Sequence, residues 1–172
     1  MLKALKNRLK TMSEDSDDTF YAEIEKRVGA DRARETVDLL RNFILVMPEM
    51  LAQVRAWLNN PNLDSNLKNL QGFCLAYLYH PEDLLKDEAY GLFGYLDDAY
   101  MVGLTYENTM NTIDYDVKKY LSNQADITKQ IPLWIKTTRE VLPKETENID
   151  RSIEGLLNGN MNLFEKIMVN QE

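Results

Sequence analysis

From Ala33 onward, the apolar residues Val37, Leu40, Ile44, Met47, Leu51, Val54 and Leu58 follow one another at spacings that alternate four and three. That period places all of them on one face of an α-helix, whereas a β-strand would send alternate side chains to opposite faces. A second row, Leu39, Phe43, Val46, Met50 and Trp57, widens the stripe to two sides. A helix apolar on two sides suits the middle of a bundle better than an exposed two-stranded coiled coil. The same 4-3 spacing is also compatible with a homodimer. Asp31 stands where an N-cap would, and Pro48 falls inside the pattern, so the segment is expected to be two helices or one bent one.

The rest of the chain follows the same period. After the turn Asn59-Asn60-Pro61-Asn62, Asp64 or Ser65 can cap a helix carrying Leu67, Leu70, Cys74 and Tyr77 and ending near His80-Pro81. Leu96, Ala99, Val102, Gly103 and Tyr106 mark another, running toward Met110. Further helices are expected over Ile113 to Leu121, over Ile127 to Val141 with an interruption at Pro132, over Pro143 to Leu157 and over Met161 to Val169. Pro143 suits a first helical position and Gly159 a C-terminal cap. Only seven glycines and five prolines among 172 residues leave little material for a many-turned β fold. The predicted architecture is all-α: an antiparallel helical bundle of about six to eight helices with a central helical hairpin. Residues 1–18 read as a basic amphipathic segment followed by an acidic linker over 11–18, and 19–172 as a single all-α domain.

Charge and cysteine usage narrow the functional classes. With 20 basic and 28 acidic side chains the net charge is −8, which disfavours a nucleic-acid partner, because phosphate binding draws on clustered Lys and Arg. One cysteine, Cys74, cannot form an intrachain disulfide, in keeping with a cytoplasmic location. The longest purely apolar run, Phe43 to Met47, is far short of the ~20 residues that span a bilayer. Leu2, Leu5 and Leu9 share one helical face, with Lys3, Lys6, Arg8 and Lys10 around it, a pattern of membrane-surface helices. Three leucines are a weak anchor, and docking on the domain accounts for them equally well. A membrane-surface partner is therefore not expected.

The most unusual stretch is Ala76-Tyr77-Leu78-Tyr79-His80-Pro81-Glu82-Asp83-Leu84-Leu85-Lys86-Asp87, continuing to Gly94-Tyr95-Leu96-Asp97-Asp98-Ala99. It resembles the YkvA-type family of small helical domains of unknown function. That family's hallmark is a helix ending in Tyr-Leu-x-x-Pro-x-Asp-Leu, then Pro-Asp, then Gly-Tyr-Leu-Asp-Asp-Ala. The resemblance covers about residues 48–106, and Pro81, Asp83, Leu84, Asp87, Gly94, Asp97 and Asp98 carry it. The chain departs from the pattern at Lys86, where the family has proline, lacks the family's later proline, and reaches Asp97 one residue late. The family has no settled activity, so the resemblance implies a fold rather than a reaction.

Two kinds of chemistry suit the hairpin. Asp83, Asp87, Asp97 and Asp98 lie near helix ends, where carboxylates meet free backbone N–H groups and a favourable dipole, so capping is the first account of them. The second is a hard-cation site whose carboxylate oxygens hold Mg²⁺, Mn²⁺ or Ca²⁺. Tyr79, Tyr90, Tyr95 and Tyr100 offer rings that pack while their hydroxyls stay wet, and could form a docking surface for another protein or seal the helix junction. His80, the single histidine, reads as a helix-end residue, and Cys74 as a small buried hydrophobe. Gly91-Leu92-Phe93-Gly94 lacks the Lys-Ser/Thr that a phosphate loop needs. The sequence thus leans toward a non-enzymatic cytoplasmic adaptor or regulatory protein, with no catalytic residues and no resident cofactor. A divalent-metal protein or metal-dependent enzyme is the alternative, and peripheral membrane association through residues 2–10 a weaker one.

Overall fold

The computed structural model describes residues 2–15, 17–78, 90–113 and 125–160. Among them are seven α-helices and no strand: α1 (Leu2–Asp15), α2 (Asp17–Val28), α3 (Ala30–Leu58), α4 (Ser65–Tyr77), α5 (Leu96–Thr112), α6 (Ala125–Val141) and α7 (Pro143–Leu157). A 3-10 turn over Gly91–Tyr95 leads into α5. The all-α bundle expected from the apolar period is therefore what the chain forms. No helix among the described residues is long and apolar enough to cross a membrane.

The long 4-3 stripe becomes α3, one continuous helix of 29 residues with Pro48 inside it. The prolines at 48 and 132 do not divide their helices, since α6 also runs unbroken through Pro132. Both apolar rows of α3 are used, as Leu40, Phe43, Ile44, Met47, Met50 and Val54 are fully buried. Asp31 is not the cap but lies in the first turn: the cap is Gly29, two residues earlier, whose φ of +82° turns the chain after α2. Asp64 does cap α4, its carboxylate accepting from the Asn66 backbone N–H at 2.8 Å. Pro143 opens α7, and the chain leaves that helix through Asn158 and the positive-φ Gly159. The linker expected over 11–18 is helical wherever it is described, shared between α1 and α2. The helices expected over Ile113 to Leu121 and Met161 to Val169 lie outside the described residues, apart from Ile113, where α5 has ended in extended backbone.

The basic leucine segment docks on the body. Leu9 is fully buried in the common core, with Leu2, Leu5 and Met12 packed against it, and Lys6 pairs with Glu49 of α3 at 2.9 Å. The apolar face that a lipid surface would need is thus turned toward protein.

At the centre, α3 crosses α5. Gly103 lets the two backbones approach: a Cβ there would stand 2.7 Å from Cζ of Phe43. The Phe43 ring cannot swing away easily, because it is fully buried and stacked on Trp134 of α6, with ring centroids 5.1 Å apart and planes at 18°. Gly103→Ala should therefore lower unfolding free energy by about 1–2 kcal/mol in urea titration, the overpacking cost outweighing the ~1 kcal/mol gain in helix propensity. A variant as stable as wild type would mean that the helices can separate at little cost.

Candidate functional site

The hairpin is built by α4, the 3-10 turn and α5. Gly91, at φ +58°, starts the tight turn, and Tyr95 occupies the N-cap position of α5 without a side-chain cap bond. Asp97 and Asp98 follow in the first helical turn. Both are buried, at 0% and 4% exposure, so they are core groups rather than an acidic surface. A buried carboxylate is costly unless hydrogen-bonded, and these lie at the positive end of the helix dipole. The Tyr77 hydroxyl at the end of α4 donates to Oδ2 of Asp97 at 2.8 Å. Further along the pair, Nε2 of Gln71, six residues before Tyr77, donates to the Thr109 hydroxyl, twelve residues after Asp97, at 3.1 Å, so α4 and α5 run antiparallel and are tied by polar bonds at two levels. Asp98 acts electrostatically on Cys74. Burial first, and then the nearby Asp98 charge, push the Cys74 thiol up to about 12, against the opposing effect of a hydrogen bond with Thr105.

The four tyrosines separate. Tyr79 lies outside the described residues, as do His80, Asp83 and Asp87. Tyr90 is 38% exposed and meets the Phe93 ring edge-on at 6.3 Å. Tyr95 and Tyr100, at 3% and 0%, are core residues, which corrects the docking surface drawn from the sequence at those two positions. They seal the helix junction instead. The guanidinium of Arg8 in α1 lies 5.5 Å over the Tyr95 ring, and that of Arg27 in α2 lies 4.5 Å over Phe93. The two N-terminal helices thus roof the turn with cations on aromatic faces.

Tyr100 does more than fill space. Its hydroxyl donates to Oδ1 of Asp150 in α7 at 2.7 Å and accepts from Nε of Arg139 in α6 at 2.7 Å, while the Arg139 guanidinium grips Asp150 through two bonds of 3.1 and 3.2 Å. Three helices meet in this cluster. Burial and the Asp150 carboxylate raise the Tyr100 pKa, and the Asp150 hydrogen bond raises that of Arg139. Glu107, about two helical turns on from Tyr100 along the same face, has its carboxyl pushed up by burial against the pull of Arg139. Sequence reasoning missed Arg139 and Asp150. A signal existed: the Leu142-Pro143 turn separates them by one helical turn on one side and two on the other, which brings them to the same face of a helical pair.

Among the described residues, no group of three or more His, Cys, Asp or Glu side chains could hold a metal ion. Asp97 and Asp98 are the two members of the expected set whose positions are described, side by side at the head of α5.

The comparisons with known proteins point to the same stretch. The family described as a protein of unknown function, DUF1232, matches residues 69–104, from the middle of α4 to the middle of α5. That is similarity to a small domain of unknown function over about a fifth of the chain. No curated protein and no solved structure matches the chain.

The geometry makes two outcomes measurable. Folded protein at pH 8 should react with a thiol reagent only at the rate of unfolding, because Cys74 is both buried and protonated there, and addition of urea should release one thiol per chain. Tyr77→Phe should cost about 1–3 kcal/mol in denaturant titration, since it removes a hydroxyl that donates to a buried carboxylate, whereas an outlying tyrosine would cost a few tenths.

Proposed function

We propose that the chain is a YkvA-like protein acting as a non-enzymatic cytoplasmic adaptor or regulator, which binds another protein through the acidic connector between α4 and α5 with Tyr90 as its aromatic anchor. The run Gly94-Tyr95-Leu96-Asp97-Asp98-Ala99 falls within the matched stretch and supports the family reading. The observation that carries the binding role is the exposure of Tyr90. It is a large ring left 38% in solvent beside a turn whose other aromatic groups are buried, and it adjoins Glu82, Asp83, Asp87 and Glu88 in sequence. Half-exposed tyrosines are frequent anchors in protein interfaces. Tyr90→Ala should abolish capture of the partner in affinity purification while leaving the melting temperature within about a degree, whereas Tyr95→Ala and Tyr100→Ala should lower it by several degrees. Equal capture by wild type and Tyr90→Ala would remove the connector from consideration.

A second reading is favoured by one observation, the burial of two adjacent carboxylates. Buried acid pairs are uncommon outside functional sites, and a divalent cation shared with Asp83 or Asp87 would offset their desolvation. Calorimetric titration of Mg²⁺, Mn²⁺ and Ca²⁺ tests it: saturable heat that is lost in Asp97→Asn or Asp98→Asn supports an ion site. Absence of heat together with an unchanged melting temperature at millimolar metal leaves both aspartates as structural groups.

A further inference from the structure

The outer face of the α3–α6 pair carries an exposed leucine among charges of both signs. Leu133 is 51% exposed on it, beside a groove of about 310 Å³ walled by Arg32, Glu35, Leu39, Lys136 and Glu140. Those walls carry two cations and two anions on a chain whose net charge is −8. A second groove, of about 480 Å³ where α5, α6 and α7 meet, carries Asp150 and Glu154 against Arg139 and leans acidic. Two copies of an acidic chain repel wherever acid meets acid. At the α3–α6 face, the charges balance.

We infer that this face pairs with the same face of a second copy of the chain, about a two-fold axis. A two-fold interface must be complementary to itself, which a balanced patch with a central leucine satisfies. The register follows from contacts within one copy. Arg32 pairs with Glu140 at 2.5 Å, and Asn42 meets Gln130 at 3.5 Å, so α3 and α6 are antiparallel, with Leu39 level with Leu133 and Glu35 level with Lys136. An axis running between the two helices and parallel to them lays α6 of one copy over α3 of the other at unchanged height. Leu133 then seats on Leu39 of the second copy, and Lys136 meets its Glu35. A 17-residue helix is about 25 Å long, and two side by side present roughly 500 Å² per copy, near the lower limit for a specific interface. The dimer is accordingly weak and concentration-dependent.

Sedimentation equilibrium of the full chain between about 1 and 300 µM tests this independently of the connector reading. Mass should rise from 20.0 kDa toward twice that value. Leu133→Lys should weaken association at least about tenfold, with an unchanged melting curve because the residue is on the surface. Lys136→Glu should weaken it too, by setting acid against acid, and the double variant Glu35→Lys with Lys136→Glu should restore it. A wild type that stays at 20.0 kDa throughout overturns the inference and frees the groove for a different protein. A Leu133→Lys chain that dimerises like wild type, or a double variant that fails to recover, overturns this face or this register.

Discussion

The contact between Phe43 and Gly103 sets the spacing on which the remainder of the bundle is built. With no side chain at 103, α5 meets the tip of the Phe43 ring of α3, and a face of that ring stacks on Trp134 of α6. Three helices are thereby fixed against one aromatic ring. The first turn of the same helix lies in the interior, where Asp97, Asp98, Ala99 and Tyr100 are buried together. The hairpin's acids are thus core groups of a helix that packs closely on its neighbours at Gly103.

Burying charged groups imposes conditions that the neighbouring helices meet. Asp97 is reached by the Tyr77 hydroxyl from α4, and the hydroxyl of Tyr100 is shared between Asp150 and Arg139 from α7 and α6. Each polar bond joins helices that are distant in sequence, so each also specifies which helix lies beside which. Apolar contacts tolerate sliding, whereas a hydroxyl at 2.8 Å from a carboxylate does not. The matched stretch, residues 69–104, contains Tyr77, Asp97 and Tyr100 but stops short of Arg139 and Asp150. Its polar groups are completed by helices outside it.

Most of the helices were legible because they repeat an apolar residue every three or four positions, and α3 could be read almost to its ends, whereas α2 (Asp17–Val28), whose charged residues surround only a few apolar ones, was not read as a helix. What periodicity could not show is which way a polar residue points when its helix is buried all round. Asp97 and Tyr100 look like surface chemistry in a linear reading, since the usual rule places carboxylates and phenols outside. Their partners lie 20, 39 and 50 residues away, and no local pattern announces them. Proline left the number of helices open for a related reason. Pro48 and Pro132 each forfeit one hydrogen bond, but the packed faces of α3 and α6 continue on both sides of it, and tertiary contact holds the helix together across the gap.

A division of labour follows from these placements. The hairpin's described acids and most of its described rings are committed inward, and among the described residues the large apolar side chains left in solvent are Tyr90, at the start of the turn, and Leu133 of α6. The first adjoins a run of carboxylates in the sequence, while the second stands among balanced charges. Surfaces of such different electrostatic character do not suit the same partner. A face of balanced charge is complementary to its own image in a way that an acidic face is not, so the self-association inferred for the α3–α6 face does not depend on the binding role proposed for Tyr90.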